Sequence, residues 1–140
     1  MAINNLQKVT LLIESGKVKT NLAGSYLKNG EKFNLFGVFC EFYRSDHPEA
    51  TWTRIDDNRN SKSEDDYFYF DLGGNNLTRF LLPPQVAAFY GLQLNEIEEV
   101  NRLAGMRVDV EDNEFAERVR QYRIAAFFRG ILFERQNSKQ

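Results

Sequence analysis

Apolar residues recur every three or four positions along most of this chain, which is the spacing of one face of a helix. The first such stretch ends before Gly16, a residue type that favours a helix C-terminus, and its apolar positions are Ile3, Leu6, Val9 and Ile13. Four further stretches have the same pattern: residues 34–43, 84–90, 96–104 and 114–133. We predict Asn95 as the N-cap of the fourth helix and Asp112 or Asn113 as the N-cap of the fifth. The pattern therefore predicts a chain built mainly of helices.

The densest apolar run follows a turn signal at Lys28-Asn29-Gly30. Asn and Gly both tolerate positive φ, so the flanking segments 26–27 and 32–33 are predicted to pair as short strands. The helix that follows is apolar on two adjacent faces, which indicates a central helix contacted from several sides. Gly37 lies inside this helix, where glycine costs about 1 kcal/mol relative to alanine. We expect the close approach of another backbone segment to explain Gly37, and Cys40 to be a small buried apolar side chain.

Two runs alternate between apolar and polar residues instead, at 51–55 and 66–71, and predict an antiparallel hairpin. The loop between them is hydrophilic and carries four carboxylates that we keep as candidate partner-binding residues: Asp56, Asp57, Asp65 and Asp66. Such carboxylates could bind a divalent cation, but the spacing of an EF-hand is absent, and a solvated acidic loop is the alternative. No metal site is therefore predicted here.

The last helix carries more apolar residues than one buried face requires. One stripe along it consists of Phe115, Val119, Tyr122 and Ala126. Beyond Tyr122 the apolar positions extend most of the way around, so this helix is either deeply buried or shared with a second subunit. We predict self-association through this helix, with these residues as candidates: Phe127, Phe128, Ile131 and Leu132.

The same helix also carries four arginines and a tyrosine that form a second candidate binding site: Arg118, Arg120, Arg123, Arg129 and Tyr122. Arg120 and Arg123 are three residues apart, which places them on neighbouring positions of one helix side. Ion pairs with Glu117 and with the acidic loop would explain them structurally. The functional alternative is a clamp for an anion or a nucleotide phosphate, because arginine binds phosphate in a bidentate manner.

The composition limits the class of protein. A chain of 140 residues fits a single mainly helical α+β domain, predicted to span residues 1–135, with 136–140 as a disordered tail. The net charge of −2 makes nucleic acid an unlikely partner, since phosphate binding needs a clustered basic face. One cysteine and one histidine, His47, exclude an internal disulfide and a zinc site of the usual kinds. No apolar run reaches the ~18–20 residues of a membrane span, and the first residues lack a signal-peptide pattern, so we expect a cytosolic protein without cofactor.

Two motifs resemble those of a known family. The KNG turn leads into a helix with the pattern Gly-Val, Cys, acid and Tyr, at Gly37, Val38, Cys40, Glu41 and Tyr43. A Leu-Pro-Pro segment followed by a helix that ends in Gly-Leu covers residues 82–92. This combination resembles a family of small proteins of unassigned function found widely in phages and prophages, over residues 6–92. Asn34 and Leu35 depart from it, because family members usually carry small residues or Cys there. The resemblance implies a phage protein in the host cytoplasm, and it transfers no active site.

Several functions stay open from the sequence. The acidity, the many aromatic residues and the lack of a catalytic motif favour a non-enzymatic phage accessory protein that binds a host protein, such as a defence or regulatory factor. One alternative is an oligomeric protein that sequesters a nucleotide-like immune signal at the arginines of the last helix. A second alternative is a structural component of the virion. A hydrolase that uses carboxylates or a metal on the acidic loop is the enzymatic alternative.

Overall fold

The computed structural model describes residues 2–55, 67–74 and 76–137. Within these ranges the helices are α1 (Ala2–Ser15), α2 (Leu35–Asp46), α3 (Pro84–Tyr90), α4 (Leu94–Gly105) and α5 (Asn113–Asn137). The strands are β1 (Lys28–Asn29), β2 (Lys32–Phe33), β3 (Thr51–Arg54), β4 (Phe68–Asp71) and β5 (Leu77–Thr78). β1 and β2 form one small antiparallel sheet, and a second antiparallel sheet has the order β3-β4-β5. The predicted mainly helical α+β fold is confirmed.

α2 is the central helix, as the density of its apolar residues predicts. It buries every residue from Leu35 to Cys40, and the Asn34 side chain caps it by accepting a hydrogen bond from the Gly37 N–H at 2.8 Å. The helix extends to Asp46, three residues beyond the predicted end. The added turn is polar but compatible with a helix, and Pro48 disfavours helical dihedrals at His47, which forms the C-cap.

Gly37 marks the closest approach of two backbone segments in this core. The Leu27 carbonyl lies directly over α2, where it accepts a hydrogen bond from the Asn34 N–H at 3.1 Å. A Cβ built on Gly37 would overlap the Leu27 carbonyl oxygen and lie 2.8 Å from the Leu27 carbonyl carbon. The predicted reason for this glycine is therefore confirmed, and Cys40 is fully buried as predicted.

The first hairpin is shifted relative to its prediction. The paired residues are Lys28 with Phe33 and Asn29 with Lys32, so the turn consists of Gly30-Glu31 rather than Lys28-Asn29-Gly30. Gly30 adopts a φ of +61°, the left-handed conformation that glycine favours. The predicted strand at 26–27 is wrong because the Leu27 N–H instead donates to the Arg79 carbonyl at 2.9 Å, in the segment after β5.

The N-cap of α4 also differs from its prediction. Asn95 lies inside the first turn, and Gln93 is the N-cap, with its backbone N–H donating to the Glu96 side chain at 2.8 Å. Gln93 and Glu96 thus form a capping box, in which the side chain of each residue accepts a hydrogen bond from the backbone N–H of the other. The capping box satisfies backbone donors at the helix start that a cap at position 95 would leave unpaired. In α5, Asp112 is the cap, since its carboxylate accepts from the N–H groups of Glu114 and Phe115 at 2.9 and 3.2 Å.

α5 is longer than predicted and packs against α1 and α4. It includes residues 136 and 137, so the predicted disordered tail is wrong for these two positions, and residues 138–140 lie outside the described ranges. Its buried face contains Ile124, Phe128 and Ile131, and the Phe128 ring lies 5.4 Å from the Phe39 ring of α2. None of the helices in the described parts of the chain is long and apolar enough to cross a membrane.

Candidate functional site

An apolar depression of the described part of the chain is a groove beside β5. We define it by its apolar lining residues, Leu72, Leu77, Leu81, Leu82, Pro83 and Pro84. Its volume is about 610 Å³, and its polar lining consists of Asn76, Thr78 and Gln85. Leu81 is 74% exposed and Leu77 is 48% exposed, although both are large apolar side chains. This groove is the candidate functional site, because contiguous exposed apolar surface commonly marks an interaction site.

β5 gives the groove a backbone edge as well as apolar side chains. In the register of β4 and β5, Asp71 is opposite Leu77, while the Leu72 N–H donates to the Asn76 carbonyl at 3.1 Å. Hydrogen-bonded and non-hydrogen-bonded pairs alternate along an antiparallel ladder, so the pair Asp71–Leu77 is of the second kind. The backbone N–H and C=O of Leu77 therefore point away from β4, towards the outer edge of the sheet.

A local turn presents Leu81 to solvent. The Thr78 hydroxyl donates to the Leu81 carbonyl at 3.0 Å and lies 3.2 Å from the Leu81 backbone N–H. Pro83 and Pro84 follow, and Pro84 begins α3, where the missing N–H of proline carries no cost. The exposed leucine is thus held between a hydrogen-bonded turn and a rigid proline pair.

The predicted arginine site on α5 is engaged in contacts within the chain. Arg118 donates hydrogen bonds to the Gln121 side chain and, at 2.7 Å, to the Tyr122 hydroxyl, and its guanidinium lies 4.6 Å from the centroid of the Tyr122 ring. Arg129 forms an ion pair with Glu14 of α1, and this hydrogen bond lowers the pKa of the Glu14 carboxyl.

Arg120 and Arg123 are not brought together as a clamp. The Arg120 guanidinium is mostly buried and lies 3.8 Å from the Glu117 carboxylate, the ion pair that the sequence suggested. The Arg123 guanidinium donates instead to the backbone carbonyls of Leu103 and Met106 at 3.4 and 3.3 Å, at the end of α4. The two side chains therefore stabilise different neighbours of α5.

Glu117 ties α5 to the segment that follows α1. Its carboxylate accepts hydrogen bonds from the Thr20 hydroxyl at 2.5 Å and from the Leu22 backbone N–H at 3.0 Å. The Gln121 side chain donates to the same Thr20 hydroxyl at 3.0 Å. Part of the polar character of α5 is thus explained by packing.

The predicted self-association residues lie within the domain. Phe128, Ile131 and Leu132 are buried in the core of the single chain, and Phe127 is partly buried against that core. The three buried side chains are not available for a second subunit, because the core of the single chain covers them. Self-association itself stays a prediction.

The four aspartates of the acidic loop, Asp56, Asp57, Asp65 and Asp66, lie outside the described ranges. Among the residues that are described, there is no group of three or more His, Cys, Asp or Glu side chains arranged to hold a metal ion. Burial raises the pKa of the Cys40 thiol well above its ordinary value, so Cys40 is held as a neutral thiol.

A smaller polar pocket of about 220 Å³ lies beside the first hairpin, with Tyr26, Lys32 and Tyr67 among its lining residues. The rings of Tyr26 and Tyr67 stack on one another with centroids 3.7 Å apart. No flat ligand can therefore enter between these two rings in this arrangement.

The groove residues were not predicted from the sequence. The Leu-Pro-Pro segment at residues 82–84 was interpreted only as the lead into a helix, because an apolar residue before Pro-Pro fits a helix start equally well. The sequence signal that could have identified the groove is the pair Leu81-Leu82. Two leucines in a turn segment belong to no helix face or strand face that would bury them.

Comparison of the chain with protein-family models, with curated proteins and with solved structures found no match.

Proposed function

We propose that this chain is a phage accessory protein that acts by binding a host protein, and that the partner docks on the Leu77–Pro84 groove. The observation that supports the proposal most is the exposure of Leu77 and Leu81 beside β5, the last strand in the order β3-β4-β5. The phage setting rests on the resemblance of residues 6–92 described above.

The shape of the groove favours a protein over a small molecule. A small-molecule site commonly buries 70–90% or more of its ligand inside a concave pocket. Here the leucine side chains themselves project into solvent, as anchors do that fill pockets of a partner. Covering them removes apolar surface from water at about 25 cal/mol per Å², which is the main stabilising contribution to such an interface.

We propose that the occupant is a segment of the host protein in extended conformation. The outward N–H and C=O of Leu77 can pair with the backbone of such a segment, which would extend the order β3-β4-β5 by one strand. Apolar side chains at alternate positions of the segment would then contact Leu77 and Leu81. The added strand is limited to a few residues, because the Arg79 carbonyl already accepts a hydrogen bond from the Leu27 N–H, and the prolines at 83 and 84 offer no N–H for pairing.

The proposal is tested by capture of partners from a lysate of the host with three forms of the chain: wild type, Leu81→Asp and Leu11→Asp. Leu11 is the matched control, because it is also a largely exposed leucine, 61% against 74% for Leu81, and it lies on α1. A protein captured by wild type is then purified and titrated against each form. We expect Leu81→Asp to weaken binding about tenfold or more, equal to ~1.4 kcal/mol, and Leu11→Asp to leave it unchanged.

Other outcomes would contradict the proposal. Equal affinities of Leu81→Asp and wild type would remove the groove from the binding surface. Capture of no protein, together with a retained nucleotide-sized mass in native mass spectrometry, would favour the ligand-sequestering alternative. Abundance of the chain in purified virions would favour the structural alternative.

A further inference from the structure

α5 has an apolar outer face in addition to the face that packs in the core. We define the outer face as Phe115, Val119, Tyr122, Ala126, Arg129 and Phe133. Phe115, Tyr122 and Phe133 are 55%, 53% and 67% exposed, and Ala126 is exposed between them. The outer face lies on the side of α5 opposite Ile124 and Phe128, which pack in the core. The apolar excess of this helix is therefore explained by a second surface.

The spacing of the outer face is that of a helix–helix interface. Its residues are separated by four, three, four, three and four positions, an alternation that keeps one stripe on the same side of the helix. The stripe is about 27 Å long at 1.5 Å per residue. Five of its six members are apolar or aromatic, whereas a solvent-facing stripe of a single domain is mostly polar.

We propose that the outer face pairs with the outer face of a second copy of this chain, and that the two α5 helices run antiparallel around a two-fold axis that crosses the outer face between Tyr122 and Ala126. The order of the spacings is the same from either end of the outer face. Each residue of one outer face therefore lies opposite a residue of the outer face of an antiparallel copy. Phe115 then meets the partner's Phe133, Val119 meets the partner's Arg129, and Tyr122 meets the partner's Ala126. A two-fold interface requires this kind of self-complementary surface.

Size favours the antiparallel direction. A parallel pair in register would bring the two long Arg129 side chains, each paired with Glu14 of its own chain, against each other. The antiparallel pair separates them and lets the aliphatic part of Arg129 cover Val119. It also places the large Tyr122 opposite the small Ala126, whereas a parallel pair would place Tyr122 against Tyr122.

Disulfide cross-linking tests both the pairing and its direction. Phe115→Cys and Phe133→Cys are made separately in a chain whose natural Cys40 is buried and therefore unreactive. We expect each variant alone to stay uncross-linked under mild oxidation, because its two copies of the new cysteine are far apart in an antiparallel pair. An equal mixture of the two variants should form a covalent dimer, since a disulfide needs α carbons about 4.4–6.8 Å apart. A mixture of Phe115→Cys with Leu11→Cys is the matched control.

Sedimentation equilibrium supplies the second measurement. We expect the wild-type chain to approach twice 16.3 kDa as its concentration rises through the micromolar range, and Phe133→Glu to remain at the monomer mass with unchanged helix content. Leu94→Glu, an exposed leucine of α4, should behave like wild type. Wild-type chain that stays monomeric would overturn the pairing. Self-cross-linking of either single-cysteine variant would overturn the antiparallel direction.

Discussion

Tyr90 is buried at the end of α3 among aromatic side chains of α2. Its hydroxyl donates to the Phe39 carbonyl at 2.5 Å, and its ring lies 4.8 Å from the Phe39 ring. Burial raises the pKa of the Tyr90 phenol far above its ordinary value of 10.0, and the neighbouring Cys40 raises it further. The neutral phenol is thus built into the core as a hydrogen-bond donor.

This arrangement predicts a loss of stability at alkaline pH. Above the ordinary tyrosine pKa of 10.0, the unfolded chain releases the Tyr90 proton while the folded chain retains it, so ionisation favours the unfolded state. The free energy of unfolding should therefore fall by about 1.4 kcal/mol per pH unit from this group. Tyr90→Phe should lose about 1 kcal/mol at neutral pH with its hydrogen bond but show a shallower decline above pH 10. Urea unfolding at several pH values measures both effects, and parallel pH curves for the two proteins would contradict the account.

At the scale of single residues, the sequence predicted which side chains are buried better than it predicted which groups they contact. Cys40 was expected in the core and is there, since a small apolar side chain inside a dense apolar run has no other place. The partners of Arg120 and Arg123 could be predicted only in part. Glu117 is a neighbour along the same helix, whereas the carbonyls of Leu103 and Met106 meet Arg123 only after α4 has packed against α5.

At the scale of elements, α2 and the segment before it depend on a single glycine. The Leu27 carbonyl approaches α2 so closely that no side chain fits at position 37. Gly130 in α5 provides a natural comparison, because it is also helical, yet no described atom other than its own neighbours lies within 4 Å of its Cβ position. Glycine is thus required for close packing at position 37, whereas at position 130 it only lowers the stability of the helix.

We predict opposite effects of alanine at these two glycines. Gly37→Ala should destabilise the domain by about 2–3 kcal/mol, since the added methyl forces α2 away from the Leu27 backbone. Gly130→Ala should stabilise it by up to about 1 kcal/mol, the usual difference between glycine and alanine inside a helix. Chemical denaturation followed by circular dichroism gives both values. A neutral effect of Gly37→Ala would show that the two segments can separate freely.

The helices could be predicted from apolar spacing, but the packing face of α5 could not. The stripe that starts at Phe115 is the most regular apolar pattern in α5, yet the structure turns it to solvent and buries the side that contains Gln121, Ile124 and Phe128. Both sides are apolar, so spacing alone cannot select one of them. The choice depends on Glu117, whose hydrogen bonds to Thr20 and Leu22 fix the rotation of the helix.

At the scale of the whole molecule, the chain has two exposed apolar surfaces that share no residue. The groove beside β5 is proposed for a host protein, and the outer face of α5 for a second copy of the chain. The fold class followed from the sequence because helical periodicity is a local property. The groove did not, since Leu77 and Leu81 become neighbours only after β5 pairs with β4 and Thr78 closes the following turn.

Hydrogen exchange of the chain in complex with its captured partner tests the central proposal most directly. We expect binding to slow exchange of the Leu77 amide by about tenfold or more, because the added strand covers its outward N–H group. Residues of α1 should exchange as they do in the free chain. Protection confined to the acidic residues 56–66, or to α5, with none at Leu77, would contradict the assignment of the groove as the binding site.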